Sequence, residues 1–402
     1  MIDVAVLGFG VVGSGTVEVL DKNRENITKN AHQEIRVKRI LDIRDFSDSP
    51  YSSLFVQDFE TIENDPDIVV AVETIGGAVV AYEFTKRCLL AGKSVVTSNK
   101  ELVAAHGCEL LQLAREKGVN YLFEASVGGG IPIIRPIAQC LAANVITEIY
   151  GILNGTTNYI LTEMEKKGAE FSSALLDAQK KGYAEADPTA DIEGHDACRK
   201  ICILSSLALG KHIYPQFVPA EGISGVTTDD MSFARELGCR IKLLARMRAT
   251  GGKVAAYVAP HLVSNDNLLA GVDGVMNSVV VRGNAVGDVM FYGAGAGKMP
   301  TASAVVADVI DAVKHMRSRK LLGWEDGGAD DVADSELLES AWYIRTSARR
   351  DKINHEFGEV IYAGETGDVT AFKTAVMNGK KVKLLLERGI PVLSLFRVLG
   401  DY

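Results

Sequence analysis

The stretch Asp3-Val4-Ala5-Val6-Leu7-Gly8-Phe9-Gly10-Val11-Val12-Gly13 decides how the first third of the chain is built. Asp3–Leu7 is an apolar run of strand length, three glycines follow in GxGxxG spacing, and Val11–Leu20 repeats apolar residues at helical period. Glycines here permit a tight turn and bring the backbone close to a pyrophosphate. The helix that opens next turns unpaired N–H groups and a partial positive charge toward the same place. GxGxxG by itself is weak; between a strand and a helix it predicts dinucleotide binding at the loop Gly8–Gly13. The competing reading is a glycine-rich turn without a ligand.

Working outward, further strand-like runs are Ile35–Ile43, Asp67–Glu73, Ser94–Thr97 and Tyr121–Glu124, with helix-period stretches at Val11–Leu20, Ala81–Ala91 and Glu101–Lys117. Apolar strands separated by helices read as βαβ units on a parallel sheet. The expectation is an α/β fold with a Rossmann-type dinucleotide-binding domain over residues 1–130. The segment Arg44–Phe59, rich in Ser, Asp and Pro, reads as a surface connection.

After about Gly128 strands and helices cease to alternate, which predicts an α+β second domain over 131–300. Glu148–Leu153 and Val254–Pro260 read as longer strands, and Thr156–Lys167, Ser173–Lys181, Asp196–Leu209 and Met231–Met247 as helices. Val275–Val281 and Asp288–Tyr292 read as two more strands. A helical run from Thr301 to about Arg317 is expected to pack back on the first domain over 301–320. Gly323–Ser335 is acidic and Gly-rich, a linker candidate. The tail 336–402 has an apparent βαββαβ order.

The 402 residues predict two or three domains, and 47% hydrophobic with 24% charged residues excludes disorder. A net charge of −9 without a basic cluster argues against nucleic acid and an anionic membrane as partners. Six cysteines (Cys88, Cys108, Cys140, Cys198, Cys202 and Cys239) lie scattered without a CxxC pair, as expected of reduced, mostly buried thiols. No stretch of about 18 apolar residues occurs, and the chain enters a strand directly, so a cytoplasmic location is the expectation.

Four clusters carry chemistry. At the end of the second strand, Asp42 suits a ribose 2′-OH and so NAD, whereas Arg44 suits the 2′-phosphate of NADP; the sequence leaves both open. Thr97-Ser98-Asn99-Lys100-Glu101 ends another strand, where ligands of open sheets collect, so Lys100 is either a site residue or a surface lysine behind a capped helix start. Glu124-Ala125-Ser126-Val127-Gly128-Gly129-Gly130-Ile131-Pro132 is either a hinge or a loop whose carbonyls hold a hard cation. The run Gly182–Lys200 packs five carboxylates (Glu185, Asp187, Asp191, Glu193, Asp196) into 12 residues and leads into a helix. Such a loop suits a substrate with an α-ammonium group. Asp196 and Lys200 are i,i+4 neighbours, which also fits a plain surface salt bridge beside an acidic loop. His195 is either an acid/base or a satisfied loop histidine.

The glycine loop Gly8–Gly13 and the clusters Thr97–Glu101, Glu124–Pro132 and Gly182–Lys200, together and in this order, resemble the homoserine dehydrogenase family. The likeness extends through Leu153-Asn154-Gly155-Thr156-Thr157-Asn158-Tyr159-Ile160 and Gly295–Ala304 and covers about residues 2–320. It implies NAD(P)-dependent interconversion of L-homoserine and L-aspartate 4-semialdehyde in threonine, methionine and isoleucine biosynthesis. It implies that Gly8, Phe9, Gly10, Val12 and Gly13 hold the pyrophosphate, with Arg44 near a 2′-phosphate. Thr74 and Lys100 then line the nicotinamide side, and Gly182 and Gly297 approach the cofactor from the second domain. Glu185 and Asp196 match substrate-binding carboxylates, Lys200 the acid/base, and Lys100 its partner at the reacting oxygen. Glu124, Val127, Gly129 and Ile131 match a sodium-ion loop. A homodimer through the second domain is implied as well. The tail departs from the pattern: an ACT-like arrangement is expected, but the Pro-Gly-Val ligand turn is absent, which speaks against threonine feedback.

Two rivals remain at this level. An aspartate-semialdehyde dehydrogenase needs a cysteine nucleophile in an activating turn, and no cysteine here has that setting. A dinucleotide-sensing protein without catalysis would not need both lysines and both carboxylates.

Overall fold

The structure is a computed structural model that describes residues 1–318 and 322–400. The chain divides into two compact units, one formed by 1–146, 202–215 and 283–328, the other by 147–201, 216–282 and 329–402.

In the first unit β1 (Ile2–Leu7), β2 (Ile35–Leu41), β3 (Phe55–Val56), β4 (Ile68–Glu73), β5 (Ser94–Thr97) and β6 (Tyr121–Leu122) form one sheet. Its order is β3-β2-β1-β4-β5-β6, and every pairing is parallel. This is the dinucleotide-fold order, with the switch point between β1 and β4. Val4–Leu7 are fully buried, as the continuous apolar run of a two-sided parallel strand requires. The helix Lys298–Lys314 packs against Val11–Lys22. At that crossing a Cβ on Gly15 would lie 2.9 Å from the Lys298 carbonyl oxygen and 3.1 Å from the Ala302 Cβ.

Among the elements of this unit that escaped the sequence reading are an edge strand and a polar helix. The connection Arg44–Phe59 contains the edge strand β3, whose two residues are too few to show a period. The helix Arg24–Ala31 is polar on most sides and buries only Ile27 and Ala31, which leaves no apolar stripe to detect. The linker candidate Gly323–Ser335 is pinned at both ends. Buried Trp324 donates to His212 Nδ1 (2.8 Å), and the Ala333 N–H donates to the Val254 carbonyl (2.8 Å).

The chain continues with β7 (Ile146–Ile152), β8 (Cys239–Thr250), β9 (Lys253–Ser264), β10 (Met276–Gly283) and β11 (Gly287–Ala294). The tail adds β12 (Glu339–Thr346), β13 (Ile361–Thr366), β14 (Val369–Lys373), β15 (Met377–Asn378) and β16 (Ser394–Val398). Across the second unit the sheet runs β10-β7-β8-β9-β16-β12-β14-β13.

Met231–Met247 is not one helix. The helix Thr228–Glu236, opened by a Thr227/Asp230 capping box, stops at Gly238 (φ +66°), and β8 pairs with β9 from Cys239↔Ser264 to Thr250↔Lys253. The alternation of Arg240, Lys242, Arg246 and Arg248 with Ile241, Leu243, Ala245 and Met247 is the period-two signature that the helical reading passed over. The charged face is not exposed: Lys242 is held by the Val272 carbonyl (2.5 Å) and Arg246 by Glu148 (2.6 Å).

In the tail, helices Arg350–Phe357 and Gly379–Leu386 cross over a sheet ordered β13-β14-β12-β16, a split βαβ arrangement. Its own core gathers Trp342, Ile344, Ile353, Phe357 and Phe372. It is joined to the rest of the second unit by parallel pairing of β16 with β9 and by fully buried Asp230, which accepts from Tyr343 (2.9 Å), Arg345 (2.8 Å) and Ser394 (3.0 Å).

Candidate active site

The glycine loop leaves β1 at Gly8, whose φ of +94° is the left-handed region. A Cβ on Gly13 would lie 1.9 Å from the Gly8 carbonyl oxygen and 2.8 Å from Thr74 Oγ1, so only glycine lets the helix start this close to the strand end. Gly10, the N-cap of the helix Val11–Lys22, has nothing within 4 Å of its Cβ position. The loop thus has a closed side against the sheet and an open side with free helix-start amides. These residues fit a dinucleotide pyrophosphate.

Asp42 and Arg44 sit together at the end of β2. The Asp42 carboxylate takes the Phe9 N–H (2.7 Å), the Arg44 N–H (3.0 Å) and a bidentate grip from the Arg44 guanidinium (2.9 and 2.8 Å). The Arg44 bonds hold its pKa well below the usual carboxylate range, against the opposing effect of burial. Arg44 lies over the Phe46 ring, and Phe9 meets Phe46 and Phe55 edge-on. Asp42, Arg44, Phe46, Ser52 and Phe55 line an open cavity of about 540 Å³.

Beyond β4, Thr74 Oγ1 donates to the carbonyls of Leu7 (3.0 Å) and Gly8 (2.9 Å), tying this turn to the glycine loop. Lys100 is the first residue of the helix Lys100–Lys117, and Asn99 caps it by accepting the Leu102 N–H (3.0 Å). The Asn99 amide also donates to the carbonyls of Ile75 (3.2 Å) and Gly77 (2.6 Å). Thr74, Lys100 and the glycine loop are therefore parts of one connected rim.

The loop from Glu124 is buried at Glu124, Val127 and Ile131. The Glu124 carboxylate accepts the N–H groups of Ile133 (2.6 Å), Ile134 (2.8 Å) and Arg135 (2.8 Å), so its side chain serves the backbone rather than an ion. The Glu124 N–H donates to Asp308 (2.8 Å), which also pairs with Arg135; burial pushes the Asp308 carboxyl up to about 7. Gly129 has φ +58°, and a Cβ there would lie 2.2 Å from the Gly295 carbonyl oxygen. Among the described residues no group of three or more His, Cys, Asp or Glu is disposed to hold a metal. Any cation here would rest on backbone carbonyls of Glu124, Val127, Gly129 and Ile131, which suits a hard ion of low charge.

In the second unit the acidic loop and the helix His195–Leu209 build a different site. Asp196 and Lys200 are one turn apart and joined at 2.7 Å, and their side chains are 6% and 11% exposed. The surface salt bridge of the plain reading is thus excluded. Lys200 Nζ also donates to the Leu153 carbonyl (2.8 Å). Asn154, buried at the start of the helix Gly155–Lys167, donates from Nδ2 to both Asp191 (2.7 Å) and Asp196 (2.8 Å), while its Oδ1 accepts the Thr157 N–H. Burial raises the Asp191 pKa, with Asp196 adding to the shift. Asp191, Asp196 and Lys200 are thus gathered around Asn154 and the Leu153 carbonyl.

The sequence reading did not single out Asn154 and held Asp191 only as one of five carboxylates; nothing in a one-dimensional pattern marks an amide that bridges two acids. Glu185 and His195 are exposed in this unit, and Gly182 has φ +74° with open space at its Cβ position. Gly297, expected on the second domain, belongs to the first unit as the N-cap of Lys298–Lys314 with φ +122°. None of the six cysteines forms a disulfide; Cys140 is exposed and Cys108 intermediate, the other four buried.

The chain carries a dinucleotide fold in its first unit and a buried lysine–carboxylate pair in its second. It is an oxidoreductase of the nicotinamide-dependent class. Residues 8–124 match the family model of the homoserine dehydrogenase NAD-binding domain, and residues 132–310 match that of homoserine dehydrogenase. The homoserine dehydrogenase of Pseudomonas aeruginosa is 43% identical over 360 residues, 87% of this chain and 82% of that one. That of Helicobacter pylori is 36% identical over 387 residues, 96% of this chain and 91% of that one. The crystal structure of a homoserine dehydrogenase from Thiobacillus denitrificans superposes with a TM-score of 0.90 at 38% identity, covering 99% and 98% of the two chains. A hyperthermophilic archaeal homoserine dehydrogenase in complex with NADPH matches with a TM-score of 0.65 at 29% identity, over 77% of this chain and 97% of that one. The chain belongs to the homoserine dehydrogenase family, the NAD(P)-dependent enzymes that interconvert L-homoserine and L-aspartate 4-semialdehyde.

Proposed function

We propose that Lys200 is the acid/base of this reaction and that Asp196, with Asp191 and Glu185, receives the substrate's ammonium group. The observation that carries this reading is the buried Lys200–Asp196 pair bridged to Asp191 by Asn154. A buried ion pair is weak evidence for stability, because desolvation offsets its attraction, so its presence asks for another reason. Two of the three Lys200 N–H donors are bound to Leu153 and Asp196. The third is the one a substrate oxygen would use. In the oxidative direction Lys200 takes the hydroxyl proton as hydride leaves for the nicotinamide; in reverse the ammonium returns it to the forming alkoxide. Lys100, on the rim with Thr74, is assigned to the nicotinamide side of the cofactor.

A bound dinucleotide supplies the hydride acceptor, and the loop Gly8–Gly13 and Thr74 are assigned to hold it. At its adenosine end, Asp42 is fixed by the Phe9 N–H, whereas the Arg44 side chain is 58% exposed and able to swing out. A 2′-phosphate would take Arg44 from Asp42; a 2′-OH would leave the pair closed. Sodium on the carbonyls of Glu124, Val127, Gly129 and Ile131, a cytoplasmic location and a homodimer through the second unit are part of the same reading. The test is Lys200→Met: homoserine oxidation should fall about 10²–10⁴-fold while NADH binding persists.

A further inference from the structure

The buried carboxyl of Glu73 has no part in the reading above, yet it sits at the C-terminal end of β4 beside Thr74. Its two oxygens face two different segments. Oε1 accepts the Ile75 N–H (2.6 Å), inside the turn Thr74–Gly77. Oε2 is in short contact with Thr97 Oγ1, at the end of β5. Thr97 Oγ1 in turn accepts the Asn99 N–H (2.9 Å), which leaves its own proton for Glu73. Both Glu73 oxygens are therefore acceptors, the arrangement of an ionised carboxylate. The main chain joins the same two segments, as the Ser98 N–H reaches the Glu73 carbonyl (3.4 Å) and Asn99 reaches Ile75 and Gly77.

We propose that Glu73 is a positioning residue that, as a carboxylate, fixes the turn Thr74–Gly77 against the start of the Lys100 helix and so sets the rim that receives the nicotinamide end of the cofactor. The inference rests on reading the Gly8–Gly13 loop, Thr74 and Lys100 as the cofactor rim. The lever arm is short: Thr74 Oγ1 would be 2.8 Å from a Cβ on Gly13 and already holds the Leu7 and Gly8 carbonyls. A shift of the turn moves the loop that meets the pyrophosphate. Lys100 stands next to Asn99, so the same shift displaces its ammonium group.

A proton on Glu73 turns one acceptor into a donor. Thr97 Oγ1 would then receive from both Glu73 and Asn99, and its own O–H would need a new partner. Burial raises the Glu73 carboxyl to about 7, with the Thr97 hydroxyl and the Ile75 N–H acting the other way, so this change falls near neutrality. The strands on either side of β4 offer Leu7 and Thr97 opposite Glu73, neither of them titratable. Among ionisable groups the buried Tyr121 phenol on β6 feels the Glu73 charge, which adds to burial in raising it. Tyr121 OH has no hydrogen-bond partner among the described residues, and Asp308 is committed to Arg135 and the Glu124 N–H.

The sign follows from the ionised form being the competent one: cofactor affinity rises with pH through about 7. NADH binding, followed by the fluorescence of the reduced dinucleotide across that range, tests this without turnover. The wild-type protein should bind more weakly on the acid side. Glu73→Gln should bind about tenfold or more weakly above neutrality, as expected for loss of a buried charge-assisted bond, and with a flat pH profile. Thr97→Val removes the bridging hydroxyl and should weaken binding in the same direction; it decides the matter if Glu73→Gln does not fold. Wild-type affinity with a wild-type pH profile in either folded variant overturns the role of Glu73. A wild-type protein that binds no NADH at any pH overturns the cofactor rim itself.

Discussion

Replacing Lys200 by methionine keeps most of the side chain's length and removes its charge and three donors. The bonds lost are those to the Leu153 carbonyl (2.8 Å) and to Asp196 (2.7 Å). Asp196 is then a buried carboxylate with Asn154 still donating to it. Breaking a buried pair from one side costs up to about 3–5 kcal/mol; with Asn154 in place the lower end, about 3, is the expectation. An exposed i,i+4 pair would give only about 0.3–0.5 kcal/mol. Kinetics separates the roles more sharply. Acid/base loss lowers kcat and kcat/KM together, by about 10²–10⁴-fold, with NADH affinity unchanged because the dinucleotide groups lie on other residues. Asp196→Asn should instead raise the KM for homoserine as well, since an ammonium contact is present before the transition state. Steady-state kinetics with L-homoserine, NADH titration and urea unfolding of both variants cover these outcomes. A Lys200→Met enzyme that keeps more than about a tenth of wild-type kcat refutes the acid/base assignment.

Arg44→Ala should weaken NADPH far more than NADH, by about tenfold for one lost charge-assisted phosphate contact; equal losses for both would remove Arg44 from the 2′-site. Gly13→Ala places a Cβ 1.9 Å from the Gly8 carbonyl and should abolish dinucleotide binding in calorimetry, with a fall in melting temperature. The rate of alcohol oxidation should rise with pH through the alkaline range, because the group that takes the hydroxyl proton must itself be unprotonated to act as base. A flat profile with hydride transfer shown to be rate-limiting counts against the lysine. Sedimentation at micromolar protein should show a homodimer, and a monomer would remove that part of the reading.

Legibility in the sequence followed the periodicity of each segment. The strands β1, β4 and β5 were plain because they are buried on both faces and so continuously apolar. β8 was misread because buried Lys242 and Arg246 put charges where a core strand usually has none, while Leu243, Leu244 and Met247 imitate a helical stripe. β3 and the helix Arg24–Ala31 were invisible for want of length and of an apolar face. At the site, Asp196 and Lys200 were found through their spacing, which places them on one helix face. Their burial was not, because it depends on Leu153 and Asn154, more than forty residues earlier. Glu73 was read only as the last residue of a strand; the acceptor role of its carboxylate depends on Thr97, brought alongside by the β4–β5 pairing.

The most direct measurement is the appearance of reduced dinucleotide when L-homoserine is added to the protein with NAD and, in parallel, with NADP. The account predicts reduction that depends on L-homoserine with at least one of the two, and its loss in Lys200→Met. No reduction with either cofactor from folded protein that binds NADH, or undiminished reduction in Lys200→Met, would contradict it.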